Sequence, residues 1–158
     1  VRDEVIAGHR WNFATKRAEL NRLEDAPASE WSFAYQLPAD CLRVLQLNGY
    51  GRTERYGEYV VEGRSLLTNA EVASVKYLAS ISDGALYPPL FVEAFAIRLA
   101  SLIAGPLTGS KELPTALMRE YELVTGLKAC MADAIEGHTT VKPPWVSSNL
   151  VAARRINA

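Results

Sequence analysis

The chain has 158 residues, is 49% apolar and carries a formal charge of −1. That length suits one domain, and that apolar content excludes a disordered chain. The missing basic surplus argues against a dedicated DNA-binding domain.

Residues 2–24 carry Ile6, His9, Phe13, Leu20 and Leu23 at three-and-four spacing, which predicts an N-terminal helix. At ~100° per residue Trp11 points away from that stripe. Either the buried face is wide, or Trp11 is a subunit or partner contact. Asp25-Ala26-Pro27-Ala28-Ser29 breaks the pattern, and a β block is predicted over 31–81. In Trp31-Ser32-Phe33-Ala34-Tyr35-Gln36-Leu37 the alternation puts three aromatics and a leucine on one strand face. A second strand is expected over 41–48. Glu62-Gly63-Arg64 reads as the tight turn of a hairpin, with Gly63 at positive φ, and a further β run spans Val72 to Ile81.

Pro88-Pro89 opens a helix that is apolar almost all round, a pattern that predicts central burial, and Gly105-Pro106 should stop it. No apolar stretch is expected to reach the ~20 residues of a membrane span, and the charged N-terminus lacks a signal-peptide pattern. Ser110 suits the N-cap of a last helix. Leu113, Leu117, Tyr121, Val124, Leu127, Met131 and Ile135 give that helix an amphipathic stripe, with Gly126 as a mark of close packing and Gly137 as its stop. The expected architecture is α+β. A helical bundle (the N-terminal helix plus two helices within 88–136) carries an inserted small antiparallel β block, forming one domain over 1–137. Residues 138–158 read as an extended C-terminal docking arm. It lacks acids after Thr139 and carries the anchors Trp145, Val146, Leu150 and Val151 with Arg154 and Arg155.

No catalytic constellation stands out. Cys41 and Cys130 lie far apart and read as buried free thiols, with neither disulfide nor metal-ligand spacing. The two histidines, His9 and His138, lie at opposite ends of the chain. Gly49-Tyr50-Gly51 lacks the Lys-Ser or Lys-Thr of a phosphate loop. Asp40 reads as a turn acid capping backbone amides. The aromatic face of 31–37 reads as sheet-to-helix core rather than a base-stacking platform. No catalytic residue, cofactor or metal is assigned.

The segment from Trp31 to Leu45, with Leu37-Pro38-Ala39-Asp40-Cys41-Leu42-Arg43-Val44 at its centre, resembles the Leu-Pro-x-Asp-x-Leu-Arg-Val segment of tailed-bacteriophage head-to-tail adaptors, the tail tubular protein A family. Val61 to Asn69 is similar to that family's hairpin. Pro88-Pro89-Leu90-Phe91-Val92-Glu93-Ala94-Phe95-Ala96 is similar to its Asp-Pro-x-Phe-x-Glu-Ala-Leu-Ala helix start, with Tyr87 in place of the usual acid before the proline. Leu107-Thr108-Gly109-Ser110, Tyr121 and Ala132-Asp133-Ala134 also fit, in order, so the likeness spans most of the chain.

The resemblance implies a structural virion protein, assembled in the host cytoplasm and placed at the head-tail connector. Such a protein forms a homo-oligomeric ring, commonly dodecameric, between the portal protein and the tail nozzle or tail-tube protein. Double-stranded DNA passes through without sequence-specific binding, and no membrane is involved. It also implies that the arm, through Trp145, Val146, Leu150, Val151, Arg154 and Arg155, reaches the portal. Two other readings remain open on sequence grounds: a small intracellular helical interaction module of a regulator, and a Cys-dependent enzyme.

Overall fold

The computed structural model describes residues 1–24, 30–51 and 58–137. The fold is α+β, as expected, but the first 24 residues differ from the sequence reading. Helix α1 covers only Arg2–Gly8, and the backbone turns extended at His9, with φ −133° and ψ 161°. Strand β1, Thr15–Glu19, follows and pairs antiparallel with β7, Ser74–Ala79. The expected helix over 2–24 is therefore a helix, a loop and a strand. Pairing with β7 outweighs a weak local helix preference. β1 lies at the edge of its sheet, and its charged, largely exposed residues suit an edge strand.

The β block forms two antiparallel sheets. One has the order β1-β7-β3-β4, with β3 at Cys41–Leu47 and β4 at Tyr50–Gly51. The other has the order β2-β6-β5, from Phe33–Gln36, Ser65–Thr68 and Val60–Glu62. The chain crosses between the sheets at residues 20–23, where Leu20 N donates to Ala73 O and Leu23 N to Ala34 O. The β5–β6 hairpin turns at Gly63, with φ 58° as the sequence predicts. Asn48 and Gly49 both take positive φ, so the glycine-rich stretch is a hairpin turn between β3 and β4. Asn48 is tied down by its side chain, which accepts from Ser74 N and donates to Val72 O. Tyr35, Leu37, Leu45, Leu47, Leu66 and Tyr77 carry both sheets into one core.

Helix α2 runs Pro89–Thr108 and ends on Gly109 in the left-handed region, φ 70°. It passes through Gly105-Pro106 and ends two residues later; Pro106 has no N–H to donate to the carbonyl of Leu102, so the helix loses that bond in its last turn. With 20 residues and a mean hydropathy of 1.7, it does have the length and composition of a membrane span, against expectation. Nor is it buried all round: its buried residues are Phe91, Ala94, Ser101 and Ala104. Phe91 and Ala94 join the β core and the later two do not, so only the first turns of α2 dock there. The chain then doubles back through α3, Glu112–Glu120, a π turn over Tyr121–Thr125, and α4, Gly126–Glu136. Ser110 Oγ accepts from Leu113 N at the start of α3, the capping role its sequence position suggests.

Gly126 serves the π turn rather than close helix packing. Its N–H reaches back to Tyr121 O, and a Cβ there would lie 2.5 Å from that oxygen. Gly126→Ala is therefore expected to destabilise by about 1–3 kcal/mol, overriding the gain of roughly 1 kcal/mol that alanine brings to an ordinary helix. Thermal melts followed by circular dichroism check this; an unchanged or raised midpoint would show that the π turn relaxes freely.

Candidate functional site: two outward helix faces

The chemical candidates fold into structural roles. Burial pushes the thiols of Cys41 and Cys130 up, aided by Asp40 and Asp133 respectively, the reverse of an activated nucleophile. Among the described residues no three His, Cys, Asp or Glu side chains are grouped to hold a metal ion. The Asp40 carboxylate chiefly takes side chains, with its own backbone amide as a lesser donor: Lys16 Nζ donates to it at 2.8 Å and Tyr77 Oη at 3.1 Å. It thus ties the start of β3 to β1 and β7.

Trp11 is corrected from surface contact to core. It is 3% exposed, because the chain leaves α1 just before it and folds it inward. Its Nε1 donates to Val5 O at 3.0 Å, and its ring meets Phe91 edge-on at 5.0 Å. Its neighbours grip the far end of the chain. Asn12 N donates to Asp133 Oδ1 at 2.8 Å, and His9 Nε2 lies 3.2 Å from Asp133 Oδ2. Asp133 is itself buried, so the last turn of α4 is held to the loop after α1. The sequence offered no signal for this pairing across more than a hundred residues. His138 and the arm residues Trp145, Val146, Leu150, Val151, Arg154 and Arg155 lie outside the described residues, as do 25–29 and Arg52.

An open groove of about 480 Å³ between α2 and α3 is lined by Arg98, Ser101, Leu102, Met118 and Glu122 among others. Its guanidinium is already engaged: Arg98 donates to Glu4 Oε1 at 2.6 Å and to Met118 Sδ at 3.2 Å. The groove therefore offers Arg98 to no anion.

What remains unsatisfied is apolar. Apart from Leu90, which lines a small pocket beside Trp11 and Asp133, the large apolar residues of α2 turned to water are Val92, Leu99, Leu102, Ile103 and Leu107, the last 76% exposed. On the returning arm of the hairpin they are Leu113, Leu123, Val124, Leu127, Met131 and Ile135, the last also 76% exposed. Five of the seven residues in the expected stripe thus face solvent, while the small Thr125 and Ala129 with Asp133 face inward. At ~100° per residue, Val92, Leu99 and Ile103 sit about 170° from the buried side of α2, and Leu127, Met131 and Ile135 about 180° from Ala129 and Asp133. Gly105 meets Pro114 and Arg98 meets Met118, so the two arms run antiparallel and the two apolar faces lie on opposite sides of one helical layer.

No family model matches the chain, and no curated protein matches its sequence.

The Asp40–Tyr77 contact links stability to pH at the alkaline end. Burial, then Asp40, push Tyr77 up to about 12. A raised tyrosine stabilises the fold fully below its ordinary value near 10 and loses that contribution as pH rises through about 12. Tyr77→Phe is expected to lose about 1 kcal/mol at pH 7 and to show a shallower decline than the parent between pH 10 and 12. Urea unfolding across that range reads the difference, which removes the shared decline from Tyr35 and Tyr121, both also raised by burial. Parallel curves for the two proteins would rule out the Tyr77 linkage.

Proposed function

We propose that this protein is a structural virion subunit, a head-to-tail adaptor that assembles into a ring between the portal and the tail nozzle or tail tube of a tailed phage. The observation that carries the reading is the pair of apolar faces on opposite sides of the α2–α4 layer. Patches of this kind on a soluble chain mark a surface that another molecule covers. The ordered family resemblance along the chain says which kind of assembly, and the near-neutral charge suits a conduit through which DNA slides.

Magnitudes set the behaviour of such a subunit. Full burial of an aliphatic side chain stabilises by about 1.5–3 kcal/mol, so half-exposed ones recover about 1 kcal/mol each. Leaving out Leu102 and Leu123, which line the α2–α3 groove, nine of them, four on α2 and five on the returning arm, give on the order of 10 kcal/mol gross at one contact. Association costs about 4–15 kcal/mol. A single pair is therefore marginal, and a ring, in which each copy is held on both sides, is favoured when a template gathers the copies. The portal is that template in this reading, and the 138–158 arm is the segment that engages it.

Electron microscopy and native mass measurement of the purified chain with and without portal test the proposal. Rings on portal, dodecameric by the family resemblance, are expected; a chain that stays monomeric with portal, or is absent from virions, sinks it. Trp145→Ala, or deletion from Pro143 onward, is expected to leave the melting midpoint unchanged and to weaken portal capture at least tenfold. Equal capture by the truncated chain would remove the arm from portal binding.

A further inference from the structure

We infer that the outer seam of α2 on one copy packs against the outer face of α3–α4 on the next, head to tail, so that one contact repeats around the assembly. The inference rests on the self-assembling reading above and names its partner surface: a second copy of this chain.

The α2 seam has a specific pattern. Val92, Ala96, Leu99, Ile103 and Pro106 follow at spacings of four, three, four and three, and all are exposed. This is the heptad spacing with which one helix lies along another, and Ala96 leaves a recess between Val92 and Leu99 for a partner's knob. The seam itself holds no charge. Of the two charged residues on α2, Arg98 is turned to Glu4, which leaves the exposed Glu93 beside the seam. On α4 the opposite face offers Leu127, Met131 and Ile135, with Lys128, the one basic residue of that helix, beside Leu127.

Symmetry decides between the two ways of covering these faces. If α2 packed on α2 about a two-fold axis, every copy would leave its α4 face in water. If α4 packed on α4, the α2 seam would stay exposed. Only α2 on α3–α4 covers both faces of every copy with one kind of contact, and a head-to-tail contact closes into a ring when its rotation closes. The area fits an assembly that needs closure. A 20-residue helix is about 30 Å long and about 10 Å wide, so each contact covers on the order of 300 Å² per partner, and a copy gripped on both sides about 600 Å². A stable isolated pair covers about 800 Å² on each partner.

The test uses the full chain. Ile103→Asp spoils the seam and Leu127→Asp spoils the face, and both positions are exposed, so each variant should keep the parent's circular dichroism spectrum. Each alone is expected to lose ring assembly on portal at least tenfold. Mixed at high concentration, the two should give a one-to-one dimer and nothing larger, since the intact seam of Leu127→Asp meets the intact face of Ile103→Asp. Dimers of Leu127→Asp alone would mean α2 on α2 and overturn the inference. In parallel, a benzophenone photoprobe at position 103 of the otherwise unchanged chain, in portal-bound rings, should cross-link to the 113–135 segment of a neighbour. Rings whose probe labels another α2 or the portal overturn the inference and leave the ring reading standing. A chain that forms no rings, and whose probe labels only the lipid of phosphatidylglycerol vesicles, overturns both.

Discussion

The structure depends on one knot, where Trp11 and its neighbours join α1 to the start of α2 and the end of α4. The indole packs on Phe91 at the first turn of α2 and hydrogen-bonds to Val5 O beneath it. One residue further on, Asn12 donates to Asp133 near the end of α4. Edge-to-face aromatic pairs and a hydrogen-bonded buried carboxylate are both costly to break, the second because the carboxylate would stay buried without donors. The helical hairpin is thereby fixed to the β core at its open end, where α2 begins and α4 ends, and Arg98 adds a tie to Glu4 of α1. From Ser101 onward α2 packs on its own returning partner, and both outer sides stand in water.

This arrangement inverts the usual logic of a surface helix, whose large apolar residues face the core. Beyond Phe91 and Tyr121, the inward positions of the helical layer hold the small Ala94, Ser101, Ala104, Thr125 and Ala129, while leucines, isoleucines and a methionine face out. Small inward residues let two helices approach closely, since the interaxial distance follows the side chains at the contact. A single exposed leucine would carry no message. Nine on two opposed faces of one layer, with Leu102 and Leu123 set aside in the α2–α3 groove, are a different matter, because no other described element covers their exposed sides.

Much of this was legible from the sequence where local chemistry dominates. The Gly63 turn and the Pro88-Pro89 helix start stand as read, because positive φ and a first-turn proline are local constraints; the strand expected at 31–37 forms only over Phe33–Gln36, with Tyr35 and Leu37 in the core, Trp31 outside it and Ala34 buried on the other face. The stripe at 113–135 was also legible, but not its direction, since periodicity names a face without saying what covers it. The N-terminal segment failed for the opposite reason. Ile6, Phe13, Leu20 and Leu23 satisfy a helical spacing, yet β7 offers residues 15–19 a strand partner that no local pattern announces. Trp11 went with it: once the helix ends at Gly8, its helical angle loses meaning. The Asp133 knot was illegible altogether, since it joins two ends of the chain.

The π turn ties these elements together. The inward residues Tyr121, Thr125, Ala129 and Asp133 are spaced four apart throughout. Over those twelve residues a straight α-helix at ~100° per residue would rotate the face by about 120°, carrying Asp133 away from His9 and Asn12. One extra residue taken up by the wide turn at 121–125 removes roughly 100° of that drift and brings Asp133 back into line. The same correction holds Leu127, Met131 and Ile135 outward on the side that Leu123 begins. Gly126, which alone leaves room for the Tyr121 carbonyl, thus governs both the inner knot and the outer face. In the ring proposed above, a face held in line by the core would keep its angle from copy to copy, which matters because a small angular error at each contact accumulates with every copy.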